Sequence, residues 1–172
     1  MKESFKWKYA VFALISFLIL IVFDQWTKSL AVAYLMDKDP FIIIKNVFQL
    51  RYLENRGAAF GMMQGQQTFF LITGIIAVAI LAYIYFKLPW ENRFHPLRIV
   101  GIFIGAGAVG NLIDRVMLGY VVDFFYFELI DFPIFNVADI YVTCATIVLA
   151  LLILFYYKED ELDCLFPKKK EK

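Results

Sequence analysis

The stretch from Thr68 to Phe86 reads TFFLITGIIAVAILAYIYF and contains no charged side chain. At a rise of about 1.5 Å per residue, a helix of this length approaches the roughly 30 Å thickness of the hydrocarbon core of a bilayer. The stretch therefore predicts a transmembrane helix.

Three further runs are predominantly apolar and carry a few charged residues near their ends, at residues 9–30, 97–116 and 138–157. The chain has 172 residues, of which 62% are hydrophobic and 19% are charged, and a soluble domain of this length would be less apolar. We find no linker and no internal repeat. The sequence therefore predicts one domain over residues 1–172, an all-α membrane protein with four transmembrane helices.

The first apolar run has two interpretations. Lys2, Lys6 and Lys8 precede it and AVA follows at residues 31–33, which is the outline of a cleaved signal peptide. The polar segment DQWTK, residues 24–28, separates the apolar core from AVA. This separation favours a signal anchor that stays attached.

The basic residues are distributed unevenly along the chain. Eleven lysines and arginines lie before the first helix, between the second and third, and after the fourth, whereas six lie in the remaining segments. Cytoplasmic loops carry the excess of positive charge. We therefore expect both termini in the cytoplasm and residues 24–67 and 117–137 on the outer side.

Residues 41–62 lack a helical pattern. In FQLRY, residues 48–52, apolar and polar side chains alternate, which is typical of a half-buried strand. We expect a small extracytoplasmic β-sheet between helices 1 and 2.

The run GAGAVG, from Gly105 to Gly110, matches the glycine pattern of a dinucleotide site. That site needs a strand, a turn and a helix within a parallel sheet, and the surrounding sequence supplies none. Because Gly101 lies four residues before Gly105, the same glycines suit close packing of membrane helices. A net charge of +1 without a basic, aromatic patch gives no indication of a nucleic-acid partner.

Two polar clusters interrupt the apolar helices. In DQWTK, Asp24 and Lys28 lie four residues apart on one helical face, as an ion pair would. In GNLIDR, Asn111 shares a face with Asp114 and Arg115. Polar groups at membrane depth usually face the bundle interior and pair with each other, so a structural Asp114–Arg115 pair is expected.

Two further acids stand in apolar surroundings, in VVDF and FNVAD. Asn136 as a cap and Asp139 as an acid of the first turn would account for Asp139. Asp123, between two valines and two phenylalanines, has no such explanation. Two carboxylates close together in a poorly hydrated site share one proton, and such a pair can activate water and polarise a carbonyl.

Metal binding is the main alternative for paired acids, but no loop rich in ligands adjoins them. The two cysteines, Cys144 and Cys164, form no CxxC motif and indicate no zinc or redox site. We therefore expect no metal and no cofactor.

Five motifs occur together and in order: DQWTK, ENRGAAFG, GNLIDR, VVDF and FNVAD. With them, the chain resembles the bacterial lipoprotein signal peptidases, also called type II signal peptidases. The resemblance implies an aspartyl intramembrane endopeptidase of the bacterial inner membrane. Its substrate would be a diacylglyceryl-modified prolipoprotein, cut on the amino side of the lipidated cysteine, and globomycin-type peptides would inhibit it.

The resemblance also implies roles for individual residues. Asp123 and Asp139 would be the catalytic pair. The substrate-binding and supporting residues would be Asn55, Gly57, Asn111, Arg115, Asn136, Asp114, Asp24 and Lys28. The GAAFG segment, residues 57–61, would place small residues where a substrate backbone approaches closely. The expected partners are the prolipoprotein and membrane lipid, and the expected state is a monomer.

A different functional class remains as an alternative. Intramembrane acids also occur along proton pathways, so a small proton-coupled transporter or an assembly factor would carry them too. Such transporters commonly have repeated halves or interrupted helices, and the sequence has neither.

Overall fold

Four long helices and three short strands make up most of the protein. The structure is a computed structural model that describes residues 2–57, 65–163 and 165. In chain order the main elements are α1 (Lys2–Leu35), β1 (Phe41–Ile44), β2 (Phe48–Asn55), α2 (Gln67–Lys87), α3 (His95–Met117), β3 (Val121–Tyr126), α4 (Val137–Leu151) and α5 (Glu159–Leu162).

The four predicted membrane helices are confirmed. Within the described residues, four helices are long and apolar enough to cross a membrane. Their ends differ from the prediction: α1 extends beyond residues 9–30 on both sides, and α4 continues as a π-helix over Leu152–Tyr156. Hydrophobicity marks the part of a helix that lipid would cover, whereas the backbone hydrogen bonds of the helix continue into polar flanks.

The small sheet is confirmed, but its composition corrects the prediction. Strands β1 and β2 lie between α1 and α2 as expected, and β3 comes from the segment between α3 and α4. The three strands are antiparallel in the order β1–β2–β3. Asp123 therefore lies within a strand, opposite Leu53 of β2.

Strand β3 lacks the alternation of apolar and polar residues that would have predicted a strand from the sequence. Its first four residues, 121–124, are all buried, because both of its faces are covered. One face joins an apolar cluster in which Val122 and Phe124 contact Ala31 of α1 and Val137 of α4. This cluster ties the sheet to the ends of two membrane helices.

The glycines of α3 allow the helices to approach closely, as the packing interpretation predicts. A Cβ atom at Gly107 would lie 2.5 Å from the backbone oxygen of Ala138 in α4, and one at Gly105 would lie 3.3 Å from Phe17 of α1. Gly101 differs from the prediction, since a Cβ there would meet nothing within 4 Å. The GAGAVG run lies entirely within α3, so the strand and turn of a dinucleotide site do not surround it.

The chain after α4 packs against the loop between α2 and α3. Arg93 pairs with Glu161, with 2.8 Å between Nε and Oε1. Leu88, Phe94 and Tyr157 form a second buried cluster at this end of the bundle.

Candidate active site

A buried lysine lies where α1 meets α3. The ammonium of Lys28 lies 2.9 Å from Oδ2 of Asp24 and 3.0 Å from Oδ2 of Asp114. All three side chains are at most 3% exposed. The predicted Asp24–Lys28 pair is present, and it is buried between helices because the polar face of α1 turns toward α3.

The prediction of an ion pair between Asp114 and Arg115 is wrong. Consecutive residues point to different sides of a helix, and Asp114 instead accepts bonds from Lys28 and from Gln25 Nε2 at 2.9 Å. Among the residues that the structure describes, no ion pair joins Asp114 to Arg115. Arg115 donates to its own helix, to Asn111 O at 3.3 Å, and its guanidinium lies 5.2 Å from the ring centroid of Phe70.

Asp123 is held by two amides. Its Oδ1 accepts from Asn136 Nδ2 at 2.7 Å, and its Oδ2 accepts from Asn55 Nδ2 at 2.9 Å. Gly57 N donates to the oxygen of Asn55 at 3.0 Å, which directs the amide nitrogen of Asn55 toward Asp123. The carboxyl group of Asp123 is therefore fixed from both sides, and the residue is only 1% exposed.

Asp139 lies in the first turn of α4, where Asn136 forms the N-cap. Asn136 and Asp139 form a reciprocal capping box, with Asp139 Oδ2 accepting from Asn136 N at 3.1 Å. Asp139 Oδ1 accepts from Asn111 Nδ2 at 2.8 Å. The side chain of Asn136 reaches Asp123 while its backbone holds Asp139, so one residue joins the two acids.

The electrostatics of the two acids are coupled. Burial, reinforced by the negative charge of Asp139, raises the pKa of Asp123 from 3.8 to about 7. The amide bonds and the charge of Lys28 act in the opposite direction but do not cancel the cost of burial. Near neutral pH the carboxyl group of Asp123 can therefore both hold and release a proton, which acid–base chemistry requires.

A cavity of about 410 Å³ opens beside Asp139, between α2, α3 and α4. Its polar lining includes Asn111, Arg115 and Asp139, and most other lining groups are apolar. A peptide backbone could meet donors and a carboxylate here while its apolar side chains contact the helices.

The structure brings the sequence-predicted residues into one connected network. Its members are Asp24, Lys28, Asn55, Gly57, Asn111, Asp114, Asp123, Asn136 and Asp139, with Arg115 bonded to it through Asn111. The small residues expected at 58–61 lie outside the described residues.

Sequence reasoning missed Gln25. Its Nε2 donates to Asp114 Oδ1, to Gly110 O at 3.1 Å and to Asp24 Oδ2 at 3.2 Å. The available signal was its position beside Asp24 in an otherwise apolar helix. It received no role because the spacing argument for DQWTK considered only the pair Asp24 and Lys28.

The fold and the site together define a class: a multi-pass membrane protein with two carboxylates joined by Asn136, one buried and one lining a cavity, as in an aspartic peptidase set in a membrane. A family model described as Signal peptidase (SPase) II matches residues 16–155. The chain belongs to the signal peptidase II family.

Relatives of similar length support this membership. The chain is 44% identical over 144 residues to a lipoprotein signal peptidase of Caldanaerobacter subterraneus subsp. tengcongensis, covering 83% of this chain and 96% of that protein. It is 43% identical over 139 residues to the lipoprotein signal peptidase of Clostridioides difficile, covering 81% and 92% of the two chains.

The fold is also similar to a solved structure. A bacterial membrane enzyme determined by the in meso method superimposes with a TM-score of 0.73 at 30% identity, covering 93% of each chain. A second bacterial membrane enzyme gives a TM-score of 0.71 at 31% identity, covering 84% of this chain and 94% of that one. The arrangement of four membrane helices and a small sheet is thus shared with solved membrane enzymes.

Proposed function

We propose that this protein is an aspartic endopeptidase that removes the signal peptide from diacylglyceryl-modified prolipoproteins, cutting on the amino side of the lipidated cysteine. The observation that carries the proposal is the link between the two acids: Asn136 donates from its side chain to Asp123 and from its backbone to Asp139. The comparisons support cleavage of prolipoprotein signal peptides and give no support to a transporter or an assembly factor.

The chemistry needs only the two acids and one water. The ionised acid of the pair takes a proton from water as the water oxygen attacks the scissile carbonyl carbon. The protonated acid donates a hydrogen bond to the carbonyl oxygen, which gains negative charge. The carbon–nitrogen bond then breaks, and a proton passes to the amino group of the departing lipidated cysteine.

The cavity beside Asp139 is where we place the peptide. Arg115 and Asn111 offer donors to backbone carbonyls there, and the cavity lies between helices that cross the membrane. Acyl chains on the cysteine could remain in lipid beside the bundle while the backbone enters. The three-stranded sheet, which carries Asp123 and Asn55, would cover the peptide from the outer side.

We further propose the setting of the enzyme. The distribution of basic residues supports cytoplasmic termini and an active site near the outer face of the bacterial inner membrane. The chain acts as a single domain and a monomer, because one chain contains every residue that the proposed chemistry uses.

The test is cleavage by purified protein in detergent. A synthetic peptide with a lipobox and a diacylglyceryl cysteine should be cut on the amino side of that cysteine, with one new amino terminus detected by mass spectrometry. The same peptide without the lipid is the matched control and should be cut far more slowly. Cleavage should also continue in excess chelator. Failure to cut the lipidated peptide would overturn the proposal, and loss of activity in chelator that a divalent ion restores would overturn the metal-free chemistry.

A further inference from the structure

The ammonium of Lys28 has a complete set of partners. Besides Asp24 and Asp114, it donates to Asn111 Oδ1 at 2.9 Å. An ammonium has three N–H groups, so each of them has one oxygen acceptor. Because the lysine is only 3% exposed, water does not compete for these bonds.

Asp114, one of these three acceptors, also binds the strand that carries Asp123. Asp114 Oδ2, which binds Lys28, also accepts from the backbone N of Val122 at 3.0 Å. Val122 directly precedes Asp123 in β3. The position of the Asp114 carboxylate therefore sets the position of the backbone from which Asp123 projects.

Asp24, another of the three acceptors, likewise holds the backbone next to Asp139. Asp24 Oδ1 accepts from the backbone N of Ala138 at 2.9 Å, and Ala138 directly precedes Asp139. Gly110 leaves room for this carboxylate, because a Cβ there would lie 2.5 Å from Asp24 Oδ2. The two acids bound to Lys28 thus each hold the residue before one member of the pair.

The third acceptor orients an amide. The oxygen of Asn111 accepts from Lys28 and from Asn136 Nδ2 at 3.0 Å, which directs its nitrogen toward Asp139. A cation on the oxygen side makes the reversed amide unfavourable, since it would place an N–H group against an ammonium.

We propose that Lys28 is the positioning residue of the catalytic pair: by holding Asp24, Asp114 and Asn111 together, it fixes the placement of both aspartates and the donor to Asp139. The inference rests on the proposed function of the pair. Lys28 acts through its three partners, and the hydrogen bonds among the described residues do not join it directly to Asp123 or Asp139.

The experiment compares Lys28→Met with the wild-type protein, measuring kcat and KM per folded molecule across a range of pH. A misplacement of about 1 Å can lower a rate roughly 100-fold, so kcat should fall on that scale while KM changes little. The charge of Lys28 lowers the pKa of Asp123, so its loss should move the pH–rate profile toward higher pH. A lysine with a purely structural role would change the folded fraction and leave kcat per folded molecule unchanged.

Arg98→Met is the matched control. Arg98 is also a buried cation, 4% exposed, and donates to Leu88 O at 2.8 Å and Pro89 O at 3.0 Å. It lies 13 residues before Asn111 on α3, about 20 Å along the helix axis. Its replacement should lower the folded fraction and leave both kcat per folded molecule and the pH profile unchanged.

A second variant carries the test if Lys28→Met does not fold. The double change Lys28→Met with Asp114→Asn removes one positive and one negative charge, so the net charge of the cluster is unchanged. The substituted amide oxygen can still accept from Val122 N. The same loss of kcat is expected, with a smaller shift of the pH–rate profile, because losing the negative charge of Asp114 offsets part of the effect of losing the positive charge of Lys28.

Normal kcat per folded molecule in either folded variant would overturn the inference, whatever the pH profile. If Asp123→Asn and Asp139→Asn are inactive in the same assay while the Lys28 variants are normal, only the positioning role fails. If those aspartate variants retain normal turnover, the proposed function itself fails.

Discussion

At the scale of single residues, the two acids of the pair differ in surroundings although both are held by amides. Asp123 is buried within the sheet, whereas Asp139 lines the cavity. Each of their four oxygens accepts one N–H, from Asn55, Asn111 or Asn136. These bonds hold the carboxyl groups in place without neutralising them, so their protonation remains available for chemistry.

The first prediction separates the pair from a neighbouring acid. Asp123→Asn and Asp139→Asn should each reduce cleavage of the lipidated peptide to background, because an amide can neither take a proton from water nor return one. Asp131→Asn is the control, since Asp131 is exposed and accepts from Tyr126 Oη at 2.6 Å at the edge of the sheet. It should keep near-normal turnover per folded molecule. Normal turnover in a folded Asp123 or Asp139 variant would remove that residue from the pair.

A second prediction concerns pH. Folded Asp123 keeps its proton to about pH 7, whereas its pKa in the unfolded chain is near 3.8. Between these values the folded state binds more protons, so the free energy of unfolding should fall as pH rises through this window. Turnover should also fall above about pH 7, as Asp123 loses its proton.

Thermal unfolding in detergent between pH 4 and 8 measures how the stability of the protein depends on pH. The matched control is Asp123→Asn, which should show a smaller decrease over the same range because its amide does not titrate. An equal slope in both proteins would mean that Asp123 does not keep its proton in the folded state.

At the scale of elements, α3 is the centre of the bundle. Its glycine side lies against α4 and α1, and its polar end supplies Asn111 and Asp114 to the site. Close approach of α3 and α4 at Gly107 is what allows Asn111 to reach Asp139. The same segment of α3 therefore determines both the helix packing and the geometry of the site.

The third prediction tests this packing. Gly107→Ala should destabilise the protein by about 1–3 kcal/mol, because the new Cβ would lie 2.5 Å from a backbone oxygen that cannot rotate away. Gly101→Ala is the control: with nothing within 4 Å, it should be neutral or stabilising by up to about 1 kcal/mol through helix propensity. Unfolding temperatures in detergent give both values. Equal behaviour of the two variants would contradict close packing at Gly107.

At the scale of the whole molecule, the two ends of the helix bundle differ in the charged residues that they carry. The end of the bundle that carries Arg93 and Arg98 is rich in basic residues, and the end that carries the sheet holds the two acids. The sheet end should therefore face away from the cytoplasm.

The fourth prediction is a labelling pattern in spheroplasts. In a background without Cys144 and Cys164, single cysteines at the exposed positions Lys45 and Ile130 should react with an impermeant maleimide added outside. A cysteine at Glu91, also exposed, should react only after the membrane is permeabilised. Labelling of intact spheroplasts at position 91 but not at position 45 would reverse the orientation.

The sequence by itself predicted the membrane helices, the strand at residues 48–52 and most of the polar residues that the network joins. Uninterrupted apolar length and period-two alternation are local properties, so residues 68–86 and 48–52 could be interpreted without knowing their neighbours. The polar motifs were conspicuous for the same reason, because each stands in an apolar run where a polar group needs a partner.

Only the tertiary structure decided which partners those polar groups have. Strand β3 has no alternation because it is buried on both faces, and one of those faces packs against α1 and α4. Asp114 pairs with Lys28 across helices and not with its neighbour Arg115, because adjacent side chains on a helix diverge while facing helices bring distant residues together. Burial, distance and shared amides depend on contacts between segments far apart in the chain, and a linear pattern does not encode them.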